Sequence, residues 1–417
     1  MRAPRSFRLV ECREARAHRL ATLPVLLVLL LLVTALWFPV SAVARRAQHR
    51  KSERLPQQLD KGITWHRDRA TGELRVFTAD TAAGEHEDNA APGPHVFQVV
   101  TQMVPVTCIV SAADGAAVPG LRRSDFRVFE DGIERPVAYF DASTQPASVA
   151  LVIDASPSVL RDSQEMKHAA DALVGALAPL DEAAVVDFSA HTYLQLPFTD
   201  VRERVLRAVA RIDVRALLGD TGGSNIYEAV YLAARELFPS RQGRKAIVLL
   251  TDGQDSGLGL TLDPESAAPQ PGQRADRLTF DDVARILASQ DIQLFAVSTE
   301  NRPKVMTPDW LAAHASATLV TAAARSSGIP PYTLYLAELV RRAGGQLYFL
   351  NETSTVAGTF RKIAQKIRAE YTLGFYPARG ADSTGVRPGW HSLRVELRDQ
   401  PGARVSHRAA YYVPNAP

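Results

Sequence analysis

Three stretches of this chain hold an unbroken apolar run that ends at a polar residue: VALVI within SVALVID (148–154), AIVLL within KAIVLLTD (245–252) and LFAV within IQLFAVS (292–298). A strand with one wet face alternates apolar and polar residues, whereas these runs are apolar on both faces. That pattern belongs to a sheet buried on both sides, which is normally parallel. AAVVDFS (183–189) and QLYFL (346–350) read as further strands, and His191–Leu196 alternates as an edge strand would. Helical periodicity fills the gaps between them. Met166, Ala170, Leu173, Val174 and Leu177 share one face, and Val201–Ile212, Ile226–Phe238, Asp281–Ser289, Leu334–Ala343 and Val356–Glu370 repeat the pattern. Strands alternating with helices predict an α/β fold with a doubly wound, mostly parallel, Rossmann-like sheet covered on both faces. YTLGFY (371–376) is expected to be its last strand, which gives a domain over 146–376.

The flanks read differently. In 96–145, SDFRVFEDGIERPVAYFD (124–141) predicts a hairpin of Phe126–Phe129 with Pro136–Phe140 across Glu130-Asp131-Gly132, because Asp-Gly between apolar runs favours a tight turn. This makes 96–145 a small β module. After Pro377, HSLRVELRD, a Pro-Gly turn and VSHRAAYYV predict a C-terminal β hairpin over 377–417. Residues 45–95 have the composition of a linker, with GEHEDNAAPGP (84–94) as its extreme.

Residues 21–44 carry no charge over 24 positions, and about 20 apolar residues suffice for a helix to span a bilayer. The preceding tail, 1–20, holds six arginines against Glu11 and Glu14. A short basic tail stays in the cytoplasm, so the body is expected outside it, held at the membrane by a single transmembrane helix. Ala42-Val43-Ala44 also has the form of a signal-peptide cleavage site, which would give a secreted or periplasmic body. The length of the apolar run favours the retained anchor. The tail outweighs the whole chain's formal charge of +3, so the body is close to neutral and lacks the basic footprint of a nucleic-acid binder. Cys12 and Cys108 leave no disulfide inside the body, and the ten histidines form no close ligand pair for zinc.

Oxygen donors dominate the ends of the buried strands. Asp154-Ala155-Ser156-Pro157-Ser158 follows the first strand, Thr221-Gly222-Gly223-Ser224 precedes the helix at Ile226, and Thr251-Asp252-Gly253 closes the KAIVLLT strand. Asp154, Ser156, Ser158, Ser224 and Asp252 together offer three hydroxyls and two carboxylates, hard ligands suited to Mg²⁺ or Mn²⁺, with Ca²⁺ also accommodated. Asp-x-Ser-x-Ser alone is equally turn and helix-cap chemistry; the three elements in order are more specific. Asp255 reads as a solvated loop acid. Two long loops, Gly253–Leu278 and Thr299–Thr333, follow strand ends on the face where open α/β sheets bind ligands.

The sequence D-x-S-x-S, a Gly-Gly-Ser segment and T-D-G resembles the metal-ion-dependent adhesion site of von Willebrand factor type A domains, over about Ser148–Tyr376. SDFRVFEDGIERPVAYFD ahead of it and YTLGFYP behind it are similar to the bacterial VWFA-related family first described in Acidobacteria. The resemblance implies direct metal contacts from Ser156, Ser158 and Ser224, and water-mediated ones from Asp154 and Asp252. It also implies an open coordination position for the acidic side chain of a partner protein. Ser224 stands where the family usually has Thr, and Pro157 where it commonly has Gly. The function expected is therefore metal-dependent protein binding or adhesion. The alternative is an envelope protein whose metal only stabilises its own fold. An enzyme is disfavoured: a dehalogenase-like phosphatase needs an acid where Ser156 stands, and neither G-x-S-x-G nor a phosphate-binding loop is present.

Overall fold

The computed structural model describes residues 56–67, 74–78, 103–113, 116–142, 145–156, 159, 163–216, 223–257, 278–307, 310, 326–350, 356–378, 386–400 and 402–414. The expected membrane segment 21–44, the tail before it, Pro157, Ser158, Thr221 and Gly222 lie outside these residues, as do 258–277 of the first long loop and 308–309 and 311–325 of the second. Among the described residues no helix is long and apolar enough to cross a membrane.

The apolar runs form the centre of a seven-stranded sheet. Its strands, in chain order, are β1 (Gln57–Gln58), β8 (Ala147–Asp154), β9 (Glu182–Phe188), β10 (Thr192–Thr199), β11 (Arg244–Thr251), β12 (Gln293–Ser298) and β13 (Leu347–Phe349). The spatial order is β1-β10-β9-β8-β11-β12-β13. From β9 to β13 all pairings are parallel; β10 and β1 add antiparallel strands at one edge. Every residue of β8 is buried, as an apolar run with no wet face requires. Alternate side chains enter two cores. Ala150 and Val152 face helices Ile226–Leu237, Phe280–Ser289 and Pro331–Ala343. Val149, Leu151 and Ile153 face helices Ser163–Ala176, Arg202–Ala216 and Val356–Arg368. The sheet is thus doubly wound, as expected.

The flanking strands assemble differently from their sequence reading. β4 (Val104–Ser111), β5 (Phe126–Glu130), β6 (Ile133–Arg135), β7 (Tyr139–Asp141), β14 (Glu370–Phe375), β15 (Gly389–Leu397), β16 (Arg404–His407) and β17 (Ala410–Val413) make two antiparallel sheets, β16-β4-β14-β7 and β17-β15-β5-β6. Val106, Cys108, Val128, Leu373, Phe375 and Val395 are among the side chains of the core they share. The YTLGFY strand therefore does not extend the parallel sheet. It lies between β4 and β7, antiparallel to both. Its alternation is the reason: Tyr371, Leu373 and Phe375 enter the sandwich core, while Gly374 lies on the other face against Met103 and Tyr139.

Two turns are also corrected. The Asp131-Gly132 turn forms with both residues at positive φ, 48° and 81°, the geometry of a tight hairpin. It joins β5 to β6, however, and the chain then crosses to the other sheet as β7. The expected C-terminal hairpin forms only in part, HSLRVELRD pairing antiparallel with the AYYV end of the second run. β15 pairs with β17 and β5, and β16 pairs with β4. A break at Arg408-Ala409 divides VSHRAAYYV between the two sheets. Arg408 fills that break, donating to the carbonyls of Ala288 and Pro105 and lying 3.2 Å from Asp291. It thereby ties the sandwich to the α/β body.

Part of the expected linker is structured. Gln57–Gln58 adds a strand to β10, and Leu59 enters the α/β core. β2 (Thr64–Arg67) and β3 (Leu74–Phe77) form a hairpin packed on helix Ile226–Leu237. Trp65 meets Tyr231 edge to face, and Arg67 forms a 2.6 Å ion pair with Asp282. These contacts join residues far apart in the chain, which linker-like composition does not reveal.

Candidate metal centre

The reversal of winding direction lies between β8 and β11. The chain proceeds from β8 outward through β9 on one side and from β11 through β12 on the other. Loops diverge above such a point and leave a crevice at the C-terminal ends of the strands. Asp154 is the last residue of β8 and Thr251 the last of β11, so both stand at its floor.

Asp154 organises this floor. It is 0 % exposed, and three segments donate to its carboxylate. Oδ1 accepts from the Ser156 amide and the Ser224 hydroxyl, each at 3.0 Å; Oδ2 accepts from the Thr251 hydroxyl at 2.8 Å. Asp252, beside Thr251, is 6 % exposed and acts electrostatically on Asp154. Four of the five expected residues, Asp154, Ser156, Ser224 and Asp252, are therefore brought to one place. The fifth, Ser158, lies outside the described residues.

The loops are held by their own hydrogen bonds. The Gly253 amide donates to Thr251 Oγ1 at 3.0 Å, and the Gln254 amide to Asp252 Oδ1 at 2.9 Å. The Ser256 amide donates to the Ser224 carbonyl at 2.7 Å, and the Ser224 amide to Ser256 Oγ at 3.3 Å. Gly223, at φ +92°, passes so close to Ser256 that a Cβ there would lie 2.7 Å from its hydroxyl oxygen. Asp255 is half-buried, with Oδ1 3.5 Å from the Tyr227 amide in the first turn of helix Ile226–Leu237. It sits where a carboxylate complements the helix dipole, rather than as the solvated loop acid expected from sequence.

Two roles went unassigned in the sequence. Thr251 belongs to T-D-G, but nothing local announces that its hydroxyl reaches across to Asp154. Ser256 becomes a clasp only because the fold sets it beside Ser224.

The electrostatics favour a cation. Burial pushes the Asp154 carboxyl above its ordinary pKa, the Ser156 hydroxyl and amide and the Thr251 hydroxyl pull it down, and the Asp252 carboxylate pushes it up again. Two buried carboxylates thus act on one another, with the Ser156, Ser224 and Thr251 hydroxyls gathered at Asp154. The Ser224 and Thr251 hydroxyls donate hydrogen bonds to Asp154, which leaves their oxygen lone pairs for other partners. This donor set fits a hard divalent ion.

The match to known proteins falls on these strands. Residues 149–254 match the family described as von Willebrand factor type A domain. This part of the chain is a von Willebrand factor type A domain. The match begins in β8 and ends just past Asp252, so it contains all five expected site residues.

No curated protein matches the chain. Among solved structures, it is similar to an aerotolerance-related membrane protein of Bacteroides fragilis crystallised with multiple mutations to serines. That match has 19 % identity over 53 % of this chain and 98 % of that one, with a TM-score of 0.36. A von Willebrand factor type A protein from Catenulispora acidiphila gives 15 % identity, 76 % and 75 % coverage and a TM-score of 0.35. Proximal thread matrix protein 1 from the mussel byssus, with a zinc-occupied MIDAS motif, gives 15 %, 57 %, 48 % and 0.37.

Proposed function

We propose that this A domain binds a partner protein through a divalent cation, Mg²⁺ or Mn²⁺ with Ca²⁺ as a substitute, and that it performs no catalysis. The observation that supports the reading is the Asp154 carboxylate, fully buried beside a second carboxylate and drawing in donors from three separate segments. Ser156, Ser158 and Ser224 would hold the ion directly, with Asp154 and Asp252 acting through water and by aiming the hydroxyls. When bound, the ion supplies an electron-poor centre that accepts a carboxylate from the partner. Asp154 orients the Ser224 and Thr251 hydroxyls by accepting hydrogen bonds from them, and Asp252 adds negative charge nearby.

The proposed setting is the outer face of a membrane, with residues 21–44 as a single-pass anchor and the body outside the cytoplasm. The partner is a protein that presents an acidic side chain; nucleic acid is not a partner.

A second reading follows from the same hydrogen bonds. Asp154 ties three loops together, so a cation there would also stabilise the fold. Calorimetry with Mg²⁺, Mn²⁺ and Ca²⁺, combined with capture from envelope extract with and without chelator, separates the two. Metal-dependent capture supports binding. Metal-dependent melting without capture supports the structural role, and no divalent binding at millimolar concentration defeats both.

A further inference from the structure

One side chain at the rim of the crevice has no part in holding the loops. Tyr332 is the second residue of helix Pro331–Ala343, whose first turn is preset by Pro330 and Pro331. Its ring lies over Gly253, the residue after Asp252. A Cβ on Gly253 would stand 3.3 Å from Tyr332 Cδ2 and 3.6 Å from Leu336 Cδ2, and Gly253 sits at φ +88°. Both the backbone conformation and the close approach therefore call for glycine. The ring seats the phenol beside the metal-site floor.

Tyr332 is half-buried, and its hydroxyl makes no hydrogen bond to the described residues. The carboxylates of Glu300 and Asp252 both act on it. Glu300 comes from the segment after β12, held beside the site by the Thr299 amide, which donates to the Thr251 carbonyl at 3.0 Å. A tyrosine hydroxyl carries its proton at neutral pH. It is a neutral donor near two acids, on a ring packed over the residue that follows Asp252.

We propose that Tyr332 is a specificity-determining residue of this site, donating its hydroxyl to the carboxylate oxygen of the partner that does not meet the metal. The inference rests on the metal-dependent binding proposed above. A carboxylate offers two acceptor oxygens, whereas a carboxamide offers one. A site with one electron-poor centre and one adjacent O–H donor prefers the acid. Glu300 and Asp252 repel a second negative group, so one acidic side chain is accepted rather than an acidic cluster.

The test uses the full chain in detergent with Mn²⁺ as the metal and acetyl-Gly-Glu-Gly-amide as the probe, with the glutamine peptide as its neutral counterpart. Water-proton relaxation reports Mn²⁺ binding and then displacement of a bound water by the peptide. The expected result is that Tyr332→Phe binds Mn²⁺ as the wild type does but needs at least about tenfold more glutamate peptide, the worth of one hydrogen bond to a charged group. The preference for glutamate over glutamine should shrink by a similar factor. If the wild type binds no Mn²⁺, the metal reading itself falls. If Mn²⁺ binds and Tyr332→Phe titrates as the wild type does, the role of Tyr332 is overturned while the metal reading stands. A loss confined to Tyr332→Ala would make the ring a wall and overturn the hydroxyl's role. Failure of the glutamate peptide to displace water in metal-loaded wild type would overturn it as well.

Discussion

The Ser224 hydroxyl donates a 3.0 Å hydrogen bond to Oδ1 of Asp154, across 70 positions of sequence. This contact joins the loop before helix Ile226–Leu237 to the end of β8, and both partners are nearly sealed from solvent. Asp154→Ala is expected to abolish divalent binding, because the Ser156, Ser224 and Thr251 donors lose their common acceptor. Ser224→Ala should keep part of the metal affinity but weaken partner capture, and Ser224→Thr should behave as wild type. Calorimetry with Mn²⁺ on the four proteins ranks them. Undiminished binding by Asp154→Ala would sink the assignment of the site.

Thr251 gives a test that removes no proposed metal ligand. Its hydroxyl donates to Asp154 Oδ2 and accepts from the Gly253 amide. Thr251→Val is nearly the same shape and deletes both bonds, leaving buried polar groups without partners. A loss of about 1–3 kcal/mol in urea unfolding is expected, together with weaker Mn²⁺ binding because Asp154 is no longer held. If stability drops and metal affinity does not, Thr251 is a structural residue only.

The parallel sheet was legible because its strands are buried on both faces. SVALVID and KAIVLLTD declare themselves by apolar runs that end at site acids, and the loops bearing Asp154, Ser224 and Asp252 must then meet at one end of the sheet. The sandwich was not legible to the same degree. YTLGFY follows a helix, as a parallel strand would, and only the alternation of Tyr371, Leu373 and Phe375 shows its antiparallel setting. Sheet switching at Arg408 depends on its contacts with Ala288 and Pro105, which are remote in sequence. Likewise Tyr332 carries no motif; its place beside Asp252 follows from how helix Pro331–Ala343 packs over Gly253.

The pairing of β14 predicts the cost of trimming the flanks. A chain cut to 146–376 keeps Glu370–Phe375 but loses β4 and β7, its partners on both edges. It also bares Tyr371, Leu373 and Phe375, which are buried in the sandwich. Exposed strand edges with apolar side chains associate. The trimmed chain should melt at a lower temperature than 56–417 and aggregate on heating. Equal melting temperatures and a monodisperse trimmed chain would show that the sandwich contributes nothing to the α/β body.

The last prediction concerns pH and Glu228, in the first turn of helix Ile226–Leu237. Burial pushes its carboxyl from the ordinary 4.5 to about 6, with Asp60 and Asp255 adding to the shift and His191 opposing it. His191 is itself engaged by Asp60, Nδ1 to Oδ2 at 2.8 Å. A carboxyl whose pKa is higher in the folded state binds its proton more tightly there than in the unfolded chain. Its ionisation therefore opposes folding: the penalty is absent below about pH 4.5 and complete above about pH 6. That interval corresponds to roughly 2 kcal/mol, reduced to about 1 kcal/mol because part of the side chain meets solvent. Glu228→Gln removes the titration and keeps the shape. It should stabilise the protein by about 1 kcal/mol at pH 7.5 and have little effect at pH 4. Urea unfolding of both proteins across this range, in chelator so that no cation contributes, measures the difference. A gain that is constant with pH would mean that Glu228 carries no such penalty, and a loss at pH 7.5 would mean that its charge is instead stabilised in the fold.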